Sequence, residues 1–239
     1  GRKNIIREAK VPDLKQLNIP AYNGVPLPNQ FWPAEHPNNW LAILLPGLNY
    51  THDMPLMYFT RRLLMQRGID VLNLNPNTRS GSFQNATQEA QLAWLKADMI
   101  SGLGVGLSQG NYQGVILAGK SIGTLSIAGA LEQAEALLPT ILLWITPLFK
   151  WEVVNQAAMQ AEGPQLFLCG SADPTFVPKT LEKILAEKPL ASAFIAPGAN
   201  HNLECEGDVK EAFNGIFQGM AFMADFLDQA IPNPGHGRQ

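Results

Sequence analysis

The fold is most clearly indicated by one stretch of sequence, Gly114-Val115-Ile116-Leu117-Ala118-Gly119-Lys120-Ser121-Ile122-Gly123. It opens with a short apolar run without polar interruption, which is typical of a strand buried on both faces of a parallel sheet. From residue 122 onward the composition favours a helix. A buried strand that leads through a tight turn into a helix indicates an α/β fold, in which helices cover both faces of a mostly parallel sheet.

The same alternation of short apolar runs and helix-length segments continues along the chain. Further strands are predicted at residues 40–45, 69–74, 140–146, 165–169 and 191–196. Helices are predicted at residues 55–67, 88–103, 122–137 and 178–188, and from Asp208 onward. We expect a single domain over residues 1–239, with edge strands in residues 1–39 and a C-terminal tail at residues 232–239.

The last predicted helix has apolar residues at spacings of three and four, which indicates one buried face. That face consists of Phe213, Ile216, Phe217, Met220, Met223 and Leu227. Its aromatic residues are therefore expected in the core rather than around a cofactor.

Length, composition and charge exclude several classes of protein. The 239 residues are 46% hydrophobic, enough for one sizeable core. The net charge is −3 and no run of five or more basic residues occurs, which argues against nucleic acid and anionic membranes as partners. No apolar segment reaches the ~20 residues of a membrane span, and the amino end lacks the apolar segment of a signal peptide. Two cysteines are too few for a disulfide framework, so a reducing, cytoplasmic location is expected.

The segment Gly119-Lys120-Ser121-Ile122-Gly123 matches G-x-S-x-G, the pattern of a nucleophile elbow. A serine on a sharp strand-to-helix turn has a strained backbone, and the flanking glycines let strand and helix approach closely. A second match, Gly106-Leu107-Ser108-Gln109-Gly110, follows a predicted helix and precedes a strand. Because the elbow requires strand, turn and helix in that order, we predict Ser121 as the nucleophile. Ser108 is assigned to a glycine-rich connecting loop.

A serine needs a neighbouring base to become a nucleophile. His201 follows the last predicted strand, where a loop at the carboxyl edge of the sheet would carry it over Ser121. His36 and His236 lie in stretches rich in Pro, Asn or Gly and are expected in solvent. His52 follows the first predicted strand at the same edge and is interpreted as a wall of the substrate site or a loop hydrogen-bonding group. His201 is therefore the predicted general base.

The base in turn needs a buried carboxylate that fixes its tautomer and stabilises the imidazolium. The segment Gly170-Ser171-Ala172-Asp173 follows a predicted strand, which places Asp173 at the carboxyl edge. A simple Asp-Pro turn is the alternative interpretation. Glu204 and Asp208 follow His201 closely but suit the surface and the amino end of the last helix. We predict Asp173 as the orienting acid.

Hydrolysis also needs two N–H donors aimed at the developing oxyanion. The backbone N–H of Ile122, one residue past the nucleophile, is the first. The loop Pro46-Gly47-Leu48-Asn49-Tyr50 follows the first predicted strand and is expected to supply the second, from Leu48. A glycine turn that only joins strand to helix is the alternative.

These motifs resemble the α/β-hydrolase superfamily over nearly all of residues 40–230. The elbow and the stretch Ala199-Asn200-His201-Asn202-Leu203-Glu204 are most similar to small, lidless, dienelactone-hydrolase-like serine hydrolases. The resemblance implies an α/β-hydrolase fold without a cap domain. Caps in this superfamily usually follow the strand after the elbow, where residues 147–164 leave room for one helix. One departure concerns the oxyanion loop, since Pro46 precedes Gly47 where many relatives carry His-Gly.

A lidless enzyme implies a shallow substrate site. We expect its walls to include the following side chains, which come from loops at the carboxyl edge: Tyr50, His52, Phe149, Trp151 and Phe176. Lys120, beside the nucleophile, would favour an anionic substrate if it faced the site. A surface or helix-side position is the simpler interpretation.

The predicted function is hydrolysis of a carboxylic ester of a small molecule through an acyl-enzyme, without a cofactor or metal. Thioester hydrolysis and lactone opening use the same groups. The few histidines and cysteines lack metal-ligand spacing, and the glycines at 104, 106 and 110 depart from the dinucleotide-binding pattern. The alternative is a catalytically silent scaffold or ligand-binding protein, since one fold hosts many functions.

Overall fold

The computed structural model describes residues 14–132 and 138–232. Within these ranges the strands are β1 (Asn29–Trp32), β2 (Trp40–Leu45), β3 (Asp70–Leu74), β4 (Gly114–Lys120), β5 (Thr140–Ile145), β6 (Gln165–Gly170) and β7 (Ala191–Ala196). They form one sheet in the spatial order β1-β3-β2-β4-β5-β6-β7. Only β1 is antiparallel to its neighbour in this sheet, and the other pairings are parallel. The predicted mostly parallel sheet is confirmed.

Helices lie on both faces of this sheet. They are α1 (Pro55–Met65), α2 (Gly81–Gln84), α3 (Gln88–Leu107), α4 (Gly123–Leu131), α5 (Glu152–Gln160), α6 (Pro178–Glu187) and α7 (Val209–Ala230). α1 and α7 pack on one face, and α3 to α6 pack on the other. Because successive strand side chains point to opposite faces, Ile43 contacts the core under α3 to α6 while Leu44 contacts the core under α1 and α7.

The first 39 residues contain one regular strand among those described, β1 at the edge of the sheet. Lys15 adds a single antiparallel bridge to Phe31. The described part of this region contains no second regular strand, and residues 1–13 lie outside the described residues. Part of the predicted helix at 122–137 and of the C-terminal tail also lies outside them, at residues 133–137 and 233–239. No helix in the described ranges is long and apolar enough to cross a membrane.

Helix α3 continues to Leu107 rather than ending at residue 103, and Ser108 is its C-cap residue. Gly102, Gly104 and Gly106 lie inside this helix, and Gly110 follows it; Gly102 and Gly106 bring the helix close to the sheet. A Cβ atom added at Gly102 would lie 2.6 Å from a methyl group of Leu74, and one added at Gly106 would lie 3.0 Å from a methyl group of Leu41. Ser108 therefore lies where α3 passes into the connection to β4, as assigned, but the glycines at 102, 104 and 106 belong to the helix and not to that connection.

The buried face of α7 differs from the predicted one in its aromatic residues. Ile216, Met220, Met223 and Leu227 are buried as predicted, but Phe213 is 51% exposed and Phe217 72% exposed.

The reason lies in two glycines that the apolar pattern does not count. A Cβ atom at Gly215 would lie 2.4 Å from the carbonyl oxygen of Leu203, and Gly219 also approaches Leu203. At these two glycines α7 packs closely against Leu203. They turn the buried face toward Phe226, which is buried, and away from Phe213 and Phe217.

Candidate active site

Ser121 lies between β4 and α4 with a φ of +52°, a left-handed backbone that few non-glycine residues adopt. The flanking glycines have no room for a side chain. A Cβ atom at Gly119 would lie 2.6 Å from the carbonyl oxygen of Gly123, and one at Gly123 would lie 2.4 Å from the carbonyl oxygen of Leu45. This is the crowding that the G-x-S-x-G pattern predicts, and it holds the serine at the carboxyl edge of the sheet.

The structure brings Asp173 and His201 together at the same edge, where they follow β6 and β7. Nδ1 of His201 lies 2.7 Å from Oδ2 of Asp173. The other carboxylate oxygen, Oδ1, accepts hydrogen bonds of 2.8 Å from both the backbone N–H and the hydroxyl of Thr175. Sequence reasoning missed Thr175; its signal was a short hydroxyl side chain two residues after the acid.

These contacts set the charge of Asp173. Its burial alone would raise the pKa of the carboxyl, but the hydrogen bonds from His201 and Thr175 outweigh burial and hold the pKa below its usual value. Asp173 is therefore a carboxylate at neutral pH. Because a carboxylate only accepts, Nδ1 of His201 carries the proton and Nε2 has the free lone pair.

The two expected oxyanion donors lie on loops next to Ser121. A Cβ atom at Gly47 would lie 3.3 Å from Cβ of Ser121, so the loop after β2 packs against Ser121. The backbone N–H of Tyr50 donates to the carbonyl of Gly47 at 3.1 Å and tightens this loop. Among the hydrogen bonds of the described residues, neither the N–H of Leu48 nor that of Ile122 is a donor.

His52 occupies a different environment from His201. It is 4% exposed, and its Nε2 donates to the carbonyl of Leu74 at 3.1 Å. Burial lowers its pKa to about 4, so the ring is neutral at pH 7. It lines a cavity of about 580 Å³ that is formed with Lys15 and Gln30 and does not include Gly47. The position fits a loop hydrogen-bonding group rather than a wall beside Ser121.

The aromatic residues expected as pocket walls divide into two groups. Phe149 is 2% exposed and stacks on Phe167 with ring centroids 5.9 Å apart, so it belongs to the core and its assignment to the pocket is wrong. Trp151 and Phe176 are half-buried on loops after β5 and β6. Tyr50 is buried, and its hydroxyl accepts from the N–H of Leu56 at 3.0 Å.

A cavity of about 320 Å³ lies beside the loop after β2, which is expected to supply the Leu48 donor. It is lined on one side by Gly47 and Asn49 and on the other by the loop after β3, including Asn77 and Arg79. Sequence reasoning missed this second loop, although it also follows a parallel strand at the carboxyl edge. A larger cavity of about 750 Å³ lies at the opposite edge, next to the starts of β2 and β3.

Lys120 is buried on the face of the sheet that α1 and α7 cover, with 2% of its surface exposed. Its Nζ donates to the carbonyl oxygen of His201 at 3.1 Å and lies 4.4 Å from the centre of the Tyr50 ring. The expected surface position of this lysine is wrong, because the side chain is buried on the face that the helices cover.

The sequence matches no protein-family model and no curated protein sequence. Solved structures are similar in fold. The esterase Pf2001 of Pyrococcus furiosus superposes with a TM-score of 0.68 at 14% identity, covering 92% of this chain and 93% of that one. Est1E of Butyrivibrio proteoclasticus, solved with ferulic acid, has a TM-score of 0.69 at 13% identity, covering 89% and 98%. XC6422 of Xanthomonas campestris, described as an α/β serine hydrolase without a lid, has 0.69 at 18%, covering 92% and 96%.

These structures share the fold of this chain over most of its length. Between β5 and β6, where the sequence resemblance would place a cap domain, the chain contains α5 and short connections. The chain has the α/β-hydrolase fold, with no separate cap domain among its described residues.

Proposed function

We propose that the protein is a serine hydrolase that cleaves a carboxylic ester of a small molecule through an acyl-enzyme. One observation carries the proposal: the Asp173–His201 pair and the left-handed Ser121 occur together at the carboxyl edge of one sheet. Similar structures that are called esterases or serine hydrolases support the same reaction class. The two free thiols, Cys169 and Cys205, support the expected reducing, cytoplasmic location.

Each group has one role in this mechanism. Oγ of Ser121 attacks the ester carbonyl while Nε2 of His201 takes its proton, and Asp173 stabilises the imidazolium through Nδ1. The N–H groups of Leu48 and Ile122 bind the oxyanion. The imidazolium then protonates the leaving alcohol, and a water activated by His201 releases the acid from Ser121 by the same steps.

The cavity beside Gly47 favours a small acyl or alcohol group. Its volume of about 320 Å³ is at the lower end of small-molecule sites, and its lining mixes backbone and polar side chains such as Asn49 and Asn77. Trp151 and Phe176 remain the proposed apolar walls on the other side of Ser121. A thioester or lactone would use the same mechanism with a different leaving group.

Labelling with a fluorophosphonate probe tests the proposal, because the probe reacts with activated serines whatever their natural substrate. Wild type, Ser121→Ala and Ser108→Ala are compared. We expect labelling of wild type and Ser108→Ala, and none of Ser121→Ala. Loss of labelling in Ser108→Ala instead would overturn the choice of nucleophile.

A catalytically silent scaffold is the second candidate. Among the hydrogen bonds of the described residues, none joins Oγ of Ser121 to His201, although such bonds are often long in enzymes without substrate. Absence of labelling in the folded wild type would support the scaffold and contradict the hydrolase.

A further inference from the structure

Lys120 is a buried cation that the proposed reaction does not use. It ends β4, directly before Ser121, and its side chain points to the face covered by α1 and α7, opposite the helix that follows the elbow. A lysine is almost never fully buried, because removing its charge from water costs several kcal/mol unless partners replace the water. The position of its partners therefore indicates what this charge does.

Both close partners of the ammonium lie on loops of the proposed active site. The carbonyl oxygen of His201, at 3.1 Å, belongs to the loop of the general base. The ring of Tyr50, at 4.4 Å, belongs to the loop that holds the Leu48 donor. The aliphatic part of the side chain lies under the same loop, since a Cβ atom at Gly47 would be 3.5 Å from Cδ of Lys120.

Each of these loops is itself tightly held, so a contact at one point fixes the whole loop. The Tyr50 loop is closed by its bond to Gly47 and anchored by the bond of the Tyr50 hydroxyl to the start of α1. The His201 loop is closed by a bond from the N–H of Asn200 to the carbonyl of Glu204 and by a bridge between Ala199 and Cys205.

We propose that Lys120 is a positioning residue, whose ammonium joins the loop of the general base to the loop of the oxyanion donor and so sets both relative to Ser121. This inference rests on the proposed function. Lys120 does not touch the reacting atoms; it acts through the backbone of His201 and through Tyr50. A neutral or apolar side chain would leave the two loops without a common anchor.

The charge of Lys120 depends on pH in a useful range. Burial lowers its pKa to about 8, against the opposing effect of the two carboxylates that face it, Asp173 and Glu204. Tyr50, the other titratable group in contact, stays neutral because burial raises its pKa to about 12. Below pH 8 the lysine is charged, and above it the charge-assisted bond and the cation–π contact weaken.

The test measures the rate constant of fluorophosphonate labelling from pH 6.5 to 10. It compares wild type, Lys120→Arg, Lys120→Met and the control Lys96→Met, which removes a half-buried lysine paired with Glu132. We expect the wild-type rate to fall as the pH rises through about 8. Lys120→Met should label about tenfold more slowly at pH 7, since it lacks a charge-assisted hydrogen bond, and should show no fall near pH 8. Lys96→Met should match wild type.

Lys120→Arg keeps its charge over the whole range and decides the matter even if Lys120→Met does not fold. The inference requires that the alkaline fall disappear or move above pH 10 in this variant. A fall near pH 8 that persists in Lys120→Arg, or a folded Lys120→Met with wild-type rates, would overturn it.

A second measurement separates this inference from the proposed function. The amide nitrogen of Asn202 shares a peptide group with the His201 carbonyl, so its NMR shift reports the bond to Lys120. We expect this shift to titrate through about pH 8 in wild type and not in Lys120→Arg. A protein that shows no labelling but retains this titration contradicts the hydrolase and leaves the loop connection standing; labelling without the titration does the reverse.

Discussion

The chain contains two G-x-S-x-G motifs, and their serines differ in backbone conformation, in position within the fold and in the environment of the hydroxyl group. Ser121 follows a buried strand and has a φ of +52°, whereas Ser108 is the C-cap of α3 with a φ of −71°. The hydroxyl of Ser108 is exposed and donates to the carbonyl of Val105 at 2.7 Å. The same G-x-S-x-G pattern therefore occurs at a crowded strand-to-helix turn in one place and at the C-terminal end of a helix in the other.

The glycines of the two motifs also differ in the atoms that an added side chain would meet. In the elbow they avoid backbone carbonyls, which cannot move aside. In the second motif the buried Gly106 makes room for leucine methyl groups, and an added Cβ at the exposed Gly110 would lie 3.1 Å from the ring of Tyr112. A glycine pattern becomes informative only when one knows which atoms would meet the missing side chain.

The largest expected effect concerns Asp173, whose pair with His201 is proposed to activate Ser121. Asp173→Asn should lower the labelling rate by about 10⁴-fold at pH 7, because the amide stabilises the wrong histidine tautomer. The control is Asp228→Asn, which removes an exposed carboxylate paired with Arg67 and should leave the rate unchanged. An active Asp173→Asn would mean that the Asp173–His201 pair is structural.

The second effect concerns the crowding at the elbow. Gly123→Ala places a Cβ atom 2.4 Å from the Leu45 carbonyl and should lower the free energy of unfolding by about 3 kcal/mol. For a protein of this size that corresponds to a melting temperature lower by roughly 6–12 °C in calorimetry. A melting temperature within 2 °C of wild type, on the order of 1 kcal/mol or less, would show that the turn relaxes easily.

The third effect concerns Lys120, the residue before Ser121; the residue before Ser108 is the apolar Leu107. Changing the pKa of Lys120 from 10.5 to about 8 corresponds to about 3 kcal/mol of destabilisation at pH 7. Part of it is offset by the hydrogen bond to His201, so Lys120→Met should raise the free energy of unfolding at pH 7 by about 1–2 kcal/mol.

The pH dependence of stability checks the sign. Between pH 8 and 10.5 the unfolded chain holds the Lys120 proton and the folded chain does not, so wild-type stability should rise with pH in this window. Urea unfolding at pH 7 and 9.5 measures both quantities. If Lys120→Met keeps the full wild-type rise, the rise belongs to another group.

The smallest effect tests the helix that leads into the second motif. Gly104→Ala replaces an exposed glycine inside α3 and should stabilise the protein by about 0.5–1 kcal/mol, because alanine loses less backbone entropy in a helix. Gly106→Ala should gain less or lose stability, since Leu41 and Leu72 lie 3.0 and 3.3 Å from the added atom. Equal gains in both variants would mean that the leucines move aside freely.

Much of the fold was predictable because it depends on local patterns. The uninterrupted apolar runs of β2 and β4 identify strands buried on both faces, and the order strand, elbow, helix separates Ser121 from Ser108. The positions of Asp173 and His201 at the carboxyl edge follow from the strands that precede them. The structure places each of these residues where those patterns predict.

The failures have one physical cause in common, which is packing between elements distant in sequence. Phe213 and Phe217 have helical apolar spacing, but Gly215 and Gly219 turn another face of α7 toward Leu203. Phe149 follows a strand, as a pocket residue would, but finds Phe167 as a stacking partner in the core.

The sheet, the elbow and the order of the polar residues can be inferred from local sequence, because strand burial and turn geometry are properties of neighbouring residues. The burial of Lys120 between two loops is visible only in the folded protein, since its partners, Tyr50 and His201, are 70 and 81 positions away. No local pattern specifies that contact. It exists because parallel strands bring the loops at their carboxyl ends together, whatever their separation along the chain.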